Sequence, residues 1–169
     1  MEGDAAAFRI IVEGLAAKLV RLGARMLGNV SDAEDLVQEA FVKAHAAILA
    51  GQYDGRASVS TWMHRIVCNL AIDQLRAGRR HGKVVEATDE MVVDSSLAAE
   101  SRLALKELAE WLGELPSEQQ VALVLSSIEG HSNAEIASML ECSEGAVEQR
   151  LVRARAALRE RRSLGHETT

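Results

Sequence analysis

Proline, cysteine and aromatic side chains are nearly missing from this chain, with one Pro, two Cys and 3% Phe, Trp and Tyr together among 169 residues. Scarce aromatics beside abundant Ala and Leu argue against sheets and for helices. Pro116 is the one residue that must break a helix by its own chemistry, so long uninterrupted helices are allowed on either side of it. Cys68 and Cys142 lie far apart and outside any CxxC pattern, which reads as two reduced, packed thiols. The five histidines do not pair at ligand spacing, so neither a metal nor another cofactor is implied. No secretory signal pattern and no apolar run near 18 residues is present, from which we expect a soluble, cytoplasmic protein without membrane insertion. An activated nucleophile, a carboxylate pair and a Gly-rich phosphate loop are missing too, which excludes the common enzyme plans.

What the chain does have is apolar residues, 48% of the total, and charge sorted into blocks. The net charge of −6 hides this division. Between Gly28 and Asp54 the acids Asp32, Glu34, Asp35, Glu39 and Asp54 face only Lys43. Between Arg56 and Lys83 the sign reverses, with Arg56, Arg65, Arg76, Arg79, Arg80 and Lys83 against Asp73 alone. Val84 to Glu118 is acidic again, and Gly145 to Arg162 is basic. A chain patterned in this way is suited to two kinds of partner, one anionic and one cationic.

Taken in order, the apolar periodicity predicts a helix from Asp4 to about Leu27, ended by Gly28 and Asn29. Ser31 with Glu34 reads as a capping box that opens a second helix running to Leu49. Asp32, Asp35 and Glu39 gather on one side of it with Gln38 at the edge; the helix dipole alone would explain Asp32, Glu34 and Asp35, while Gln38 and Glu39 lie too far in for that account. The polar connection from Gly51 to Ser60 leads into the stretch Thr61 to Arg80, a helix that Ser60 and Thr61 can cap. Its back carries Met63, Ile66, Val67 and Leu70, while Arg65, Asn69, Ile72, Asp73, Arg76 and Arg80 share a front arc with Trp62 close by. Cations for phosphate, an amide for base edges and a ring for stacking are what nucleic acid rewards. A solvated basic face would give the same pattern.

After Arg80 the periodicity lapses into an acidic stretch, read as a linker over residues 83–97 between domains at 1–82 and 98–163, with a tail at 164–169. The second half opens with a helix over about Leu97 to Leu112. Ser117 with Gln120 reads as a capping box for a helix that stops at Gly130, and Ser132 with Glu135 reads as another. A tight turn at Glu141, Cys142 and Ser143 follows, and Ser143 caps a long basic helix through Arg162. A short helix, a three-residue turn and a second helix is the helix-turn-helix plan, which would offer Glu144, Glu148, Gln149 and Arg150 to a major groove. Any small helical bundle could share that periodicity.

Both halves together resemble the extracytoplasmic-function (group 4) sigma factors of bacterial RNA polymerase, in the sigma-70 family. GARMLGNVSDAEDLVQEAFVKA and STWMHRIVCNLAIDQLRAGRR look like sigma region 2, and LGELPSEQQVALVLSSIEGHSNAEIASMLECSEGAVEQRLVRARAALRER looks like region 4. The resemblance implies an all-α fold of two small domains, a region 2 bundle and a region 4 helix-turn-helix, joined by the linker. It implies core polymerase as partner, with Asp32, Glu34, Asp35, Gln38 and Glu39 docking on the β′ clamp helices and region 4 near the β flap. It also implies promoter DNA. Tyr53, Arg56 and Ser58 fall in the loop that captures a flipped base, and Trp62, Arg65, Asn69, Asp73, Arg76, Arg79 and Arg80 fall on the helix that opens the −10 element. Ser143, Gly145, Ala146, Glu148, Gln149, Arg150, Arg153 and Arg155 fall where the −35 element is read. An anti-sigma factor is a further partner that the family implies. The chain departs from the family at Glu148, where a cation is usual, at Gln120, where Arg is common, and at Asn133, where an aromatic is common. Gln119 to Glu144 contain no Lys or Arg. Weak −35 binding follows as an expectation, and a sigma-like mimic that occupies an anti-sigma factor without engaging DNA is the alternative.

Overall fold

A computed structural model describes residues 2–80 and 99–166, and the linker expected over 83–97 lies outside the described residues. Seven helices, and no strand, account for the regular structure described: α1 (Glu2–Leu27), α2 (Val30–Leu49), α3 (Val59–Arg80), α4 (Ala99–Glu114), α5 (Ser117–Ser127), α6 (Asn133–Met139) and α7 (Glu144–His166). The last of these runs into the segment expected to be tail, as far as His166.

The α1–α2 corner shows how local chemistry sets an element boundary. Gly28 takes a φ of 76°, a left-handed value that only glycine adopts readily, and its N–H donates to Ala24 O at 2.8 Å. The next residue, Asn29, is extended at φ −147° and its side chain accepts from the Asp32 N–H at 3.0 Å. Asn29 is therefore the cap, and the expected Ser31–Glu34 capping box is replaced because Ser31 is already inside the helix. Likewise α3 is capped by Ser58, whose Oγ accepts from Thr61 N–H at 3.1 Å, and not by Ser60 or Thr61. Before α5 the cap position is Pro116, with no side-chain cap bond, while Ser117 and Gln120 are buried. The Ser132–Glu135 box forms in full, and Ser143 Oγ accepts from Ala146 N–H at 3.2 Å.

Packing follows from the apolar faces. Leu19, Leu22 and Met26 of α1 close on Leu36, Val37 and Ala40 of α2 and on Met63 and Val67 of α3, all buried. Each large side chain hidden in this way contributes about 1.5–3 kcal/mol against exposure. Close approach of α1 and α2 depends on Gly23, where an added Cβ would sit 3.1 Å from the Ala33 Cβ. In the second half Val121 and Leu125 of α5, Ile136 of α6 and Val147 and Leu151 of α7 form the equivalent centre.

The two centres are continuous, because α3 packs on α5 and α6 as well as on α1 and α2. Its buried residues include Cys68, Ala71, Ile72 and Leu75 beside Met63, Val67 and Leu70. Ile72, placed by periodicity on the exposed front arc, is only 7% exposed. A helix flanked by two partners has two apolar stripes, and a single-face reading sees one of them.

Candidate nucleic-acid interface

Four elements bring the expected strand-reading residues into one neighbourhood. The connection before α3 is organised by its own polar groups: Tyr53 Oη donates to Ala57 O at 2.7 Å, and the Arg56 N–H donates to Asp54 Oδ1 at 3.0 Å. That fold-back sets the Tyr53 ring 4.7 Å, centroid to centroid, from Trp62, tilted by 36°. Tyr53 and Trp62 are both half-buried and form a joint aromatic ledge, whereas Arg56 is exposed and Ser58 is occupied in capping.

Beside the ledge lies a recess of about 600 Å³ lined by Trp62, Arg65 and Asn69 of α3, with Asp73 at its border. Gln52 from the connection lines it too, as does Lys43 of α2, read in the sequence as the lone cation of an acidic block but given no role there. Its ammonium is held 3.0 Å from Glu39, one helical turn back. Asp32 is half-buried, and Glu34, Asp35, Gln38 and Glu39 are exposed along α2, available to a partner.

The last wall of the recess comes from the other half of the chain. Glu141, in the turn between α6 and α7, bonds Arg65 and lies 3.4 Å from the Asn69 side-chain nitrogen. It holds this place with a φ of 51°, the one non-glycine residue in the left-handed region among those described, a conformation that costs roughly 1–2 kcal/mol. Two similar pairs flank it, Arg76 with Glu118 of α5 and Arg25 of α1 with Glu129. Asp73 stands 3.8 Å from Arg76 as well. Arg79 reaches across to Gly113 O and to Gln120 Oε1, each at 3.1 Å, and Gln120 Nε2 donates to Met26 O at 2.8 Å. Arg80 stays exposed at the end of α3.

These contacts differ in weight. Half-exposed ion pairs are worth about 0.2–1 kcal/mol each, so the pairs steer and orient more than they bind. Gln120 is only 2% exposed, and both ends of its amide are used. Losing such a buried polar partner costs about 1–3 kcal/mol. An Arg at this position would face Arg79 with like charge, which gives the departure at Gln120 a physical reason. Burial lowers the Arg79 guanidinium, opposed by the Glu118 charge. Partial burial works to raise the Glu118 carboxyl, but the Arg76 hydrogen bond, its own backbone N–H and the charges of Arg76 and Arg150 hold it below the ordinary value. Burial pushes the Cys68 thiol up to about 12, helped by the Glu129 charge.

The second expected DNA-reading surface sits apart from the recess, on the early turns of α7. Glu144, Gly145, Glu148, Gln149, Arg153 and Arg155 are exposed there, and Ala146 is half-buried. Arg150 is half-buried and turned inward, with Nη1 donating to Cys142 Sγ at 3.2 Å. Among the described residues no group of three or more His, Cys, Asp and Glu could hold a metal ion. None of the described helices is long and apolar enough to cross a membrane.

Comparison with known proteins places both halves. The family models for Sigma-70 region 2 and Sigma-70, region 4 match residues 11–81 and 105–158. The ECF RNA polymerase sigma factor SigM of Mycobacterium tuberculosis is 37% identical over 168 residues, spanning 99% of this chain and 82% of the relative. The ECF RNA polymerase sigma factor SigW of Bacillus subtilis is 34% identical, spanning 94% of this chain and 90% of the relative. Among solved structures, CnrH in complex with the cytosolic domain of CnrY aligns with a TM-score of 0.67 at 28% identity, covering 96% of this chain and 92% of CnrH.

Proposed function

The chain belongs to the extracytoplasmic-function sigma factors of the sigma-70 family, whose members are transcription initiation factors and not enzymes, and from that premise we propose how its residues divide the work. The exposed Glu34, Asp35, Gln38 and Glu39 of α2, with the half-buried Asp32, dock on the cationic clamp helices of core polymerase. Opposite charge speeds that encounter and selects the partner. The recess beside α3 takes the opened −10 strand, with Asn69 reading a base, Trp62 and Tyr53 giving a stacking ledge, and Arg65, Arg76, Arg79 and Arg80 holding phosphates. Extruding a base costs a few kcal/mol, which contacts in such a pocket offset. The early turns of α7 read the −35 duplex, weakly, because Glu148 stands among the groups that face it.

One observation carries this reading: Trp62, Arg65 and Asn69 line a single recess together with Lys43 and Gln52. Asp73 and Glu141 share that lining, but an aromatic ring, two cations and two amides around one cavity suit a single-stranded nucleotide better than they suit a solvated helix face. Transcription in vitro with core polymerase on a promoter library tests it. Wild type is expected to initiate from a subset of promoters, and Asn69→Ala to lose at least about tenfold of that activity, the weight of one good base contact. Equal activity of the two proteins would remove Asn69 from the reading.

A second reading has its own observation, since Arg65, Arg76 and Arg79 are all engaged inside the chain. On that reading the protein is a sigma-like mimic that occupies an anti-sigma factor, the kind of partner that NepR is to the sigma factor RpoE from Bartonella quintana. Failure of the wild type to initiate on any promoter, with anti-sigma binding intact, would favour it.

A further inference from the structure

The sequence shows no pair of histidines at ligand spacing, yet the fold brings two of them together from opposite halves of the chain. His64 of α3 and His131, just ahead of α6, stand with ring centres 6.2 Å apart and planes at 77°. They share a cleft of about 350 Å³ between α3 and α6, where Ser60, Thr61, Glu135 and Ser138 supply the other polar groups. This cleft has no lining residue in common with the recess beside Trp62, and neither histidine belongs to the strand-reading set. We propose that the pair is a binding site for a borderline divalent transition cation such as Zn²⁺, held by one imidazole nitrogen from each half, with water completing its coordination.

Each ring is already turned for that task. Nδ1 of His64 lies 2.7 Å from Ser60 O, one turn back on its own helix. A carbonyl oxygen only accepts, so in the neutral ring Nδ1 holds the proton and Nε2 keeps its lone pair. Nδ1 of His131 faces Glu135 Oε2 at 3.8 Å, which favours the same tautomer and again leaves Nε2 for a ligand. A carbonyl or a carboxylate behind one ring nitrogen is the arrangement that orients imidazoles bound to metal. Glu135 itself is committed: its Oε2 accepts from the Ser132 N–H and from Ser132 Oγ, each at 2.8 Å, so it backs the ring and adds no third protein ligand. Two imidazoles on one ion, with Zn–N bonds of about 2.0–2.1 Å, have ring centres roughly 5–6 Å apart. Closing 6.2 Å to that span is within the reach of small side-chain rotations in a cleft of this size. Nitrogen ligands select Zn²⁺, Cu²⁺ or Ni²⁺ over the oxygen-seeking Mg²⁺ and Ca²⁺.

The test titrates Zn²⁺ by isothermal calorimetry into the full chain, stripped of metal and of any purification tag, with Mg²⁺ as the comparison ion. Wild type is expected to take up one equivalent of Zn²⁺, and His64→Gln and His131→Gln each to weaken that binding at least about tenfold, while His45→Gln on α2 leaves it unchanged. Circular dichroism checks that each variant is folded. Thermal unfolding gives a second readout: Zn²⁺ should raise the midpoint of wild type and not of the two variants, because an ion bound only by the folded chain stabilises it. Electron paramagnetic resonance of wild type loaded with one equivalent of Cu²⁺ reads the ligands directly and needs no variant. Coupling to two imidazole nitrogens is the expected signature. Equal Zn²⁺ affinity in wild type and either histidine variant, a loss shared by His45→Gln, or a Cu²⁺ signal with a single imidazole would overturn the site. None of these readouts involves promoter DNA, so their failure is distinct from failure of the transcription reading.

Discussion

Gln120 carries more of the contact between the halves than any single charged residue. Its buried amide accepts from Arg79 and donates to Met26 O, so both of its ends belong to partners far away in sequence. Gln120→Leu keeps the volume and removes both bonds. The variant should lose about 1–3 kcal/mol of unfolding free energy in urea, the penalty of leaving a buried carbonyl and a half-buried guanidinium unpaired. A loss below about 0.5 kcal/mol would mean that water replaces the amide without strain. Sequence reasoning reached Gln120 as a capping-box partner of Ser117 and as a departure from a family habit, because nothing local announces a partner 94 residues away. The lack of Lys and Arg from Gln119 to Glu144 was legible, and the partners of Glu118, Glu129 and Glu141 were not.

At the scale of helices much was readable, since a repeating apolar face depends on neighbours three and four residues along. The errors lie at the starts of helices. Asn29 and Ser31, or Ser58, Ser60 and Thr61, are all competent caps, and the choice falls to the one whose backbone leaves the extended region last. Before α5, Pro116 takes the cap position and frees Ser117 and Gln120 for burial. The pairing of α1 with α2 rests on a different cue, the missing side chain of Gly23. Gly23→Val should push the helices apart against Ala33 and Leu36 and cost about 1–3 kcal/mol, checked by thermal denaturation. An unshifted midpoint would show that the corner at Gly28 and Asn29, and not the close approach, fixes the two helices.

For the whole molecule the question is how firmly the halves stay docked. Glu118 titrates below its ordinary 4.5 in the docked chain, and Arg76 from the other half is a main cause. A carboxyl depressed by docking favours the docked form above that ordinary value and loses the advantage as pH falls through its lowered one. Scattering should therefore show the chain compact near neutral pH and more expanded as pH falls through that lowered value, with a weaker response in Glu118→Gln. A radius of gyration flat across that range would place the stability of docking in the apolar contact of α3 with α5 and α6. The division into two halves was legible from charge blocks and from the lapse in periodicity. Their mutual contact was not, because it joins segments whose sequences carry no mark of each other.

The left-handed backbone at Glu141 has a consequence for dosage. Flanking bonds hold its turn in shape, with Cys142 N–H on Ala137 O at 3.0 Å and Ser143 capping α7, so the carboxylate is already presented before the halves meet. A group tied to its target by one chain acts at an effective concentration that the chain itself sets. Dilution leaves that value unchanged, and so does a rise in expression. The Glu141–Arg65 contact therefore keeps one copy of each partner however much of the chain is made.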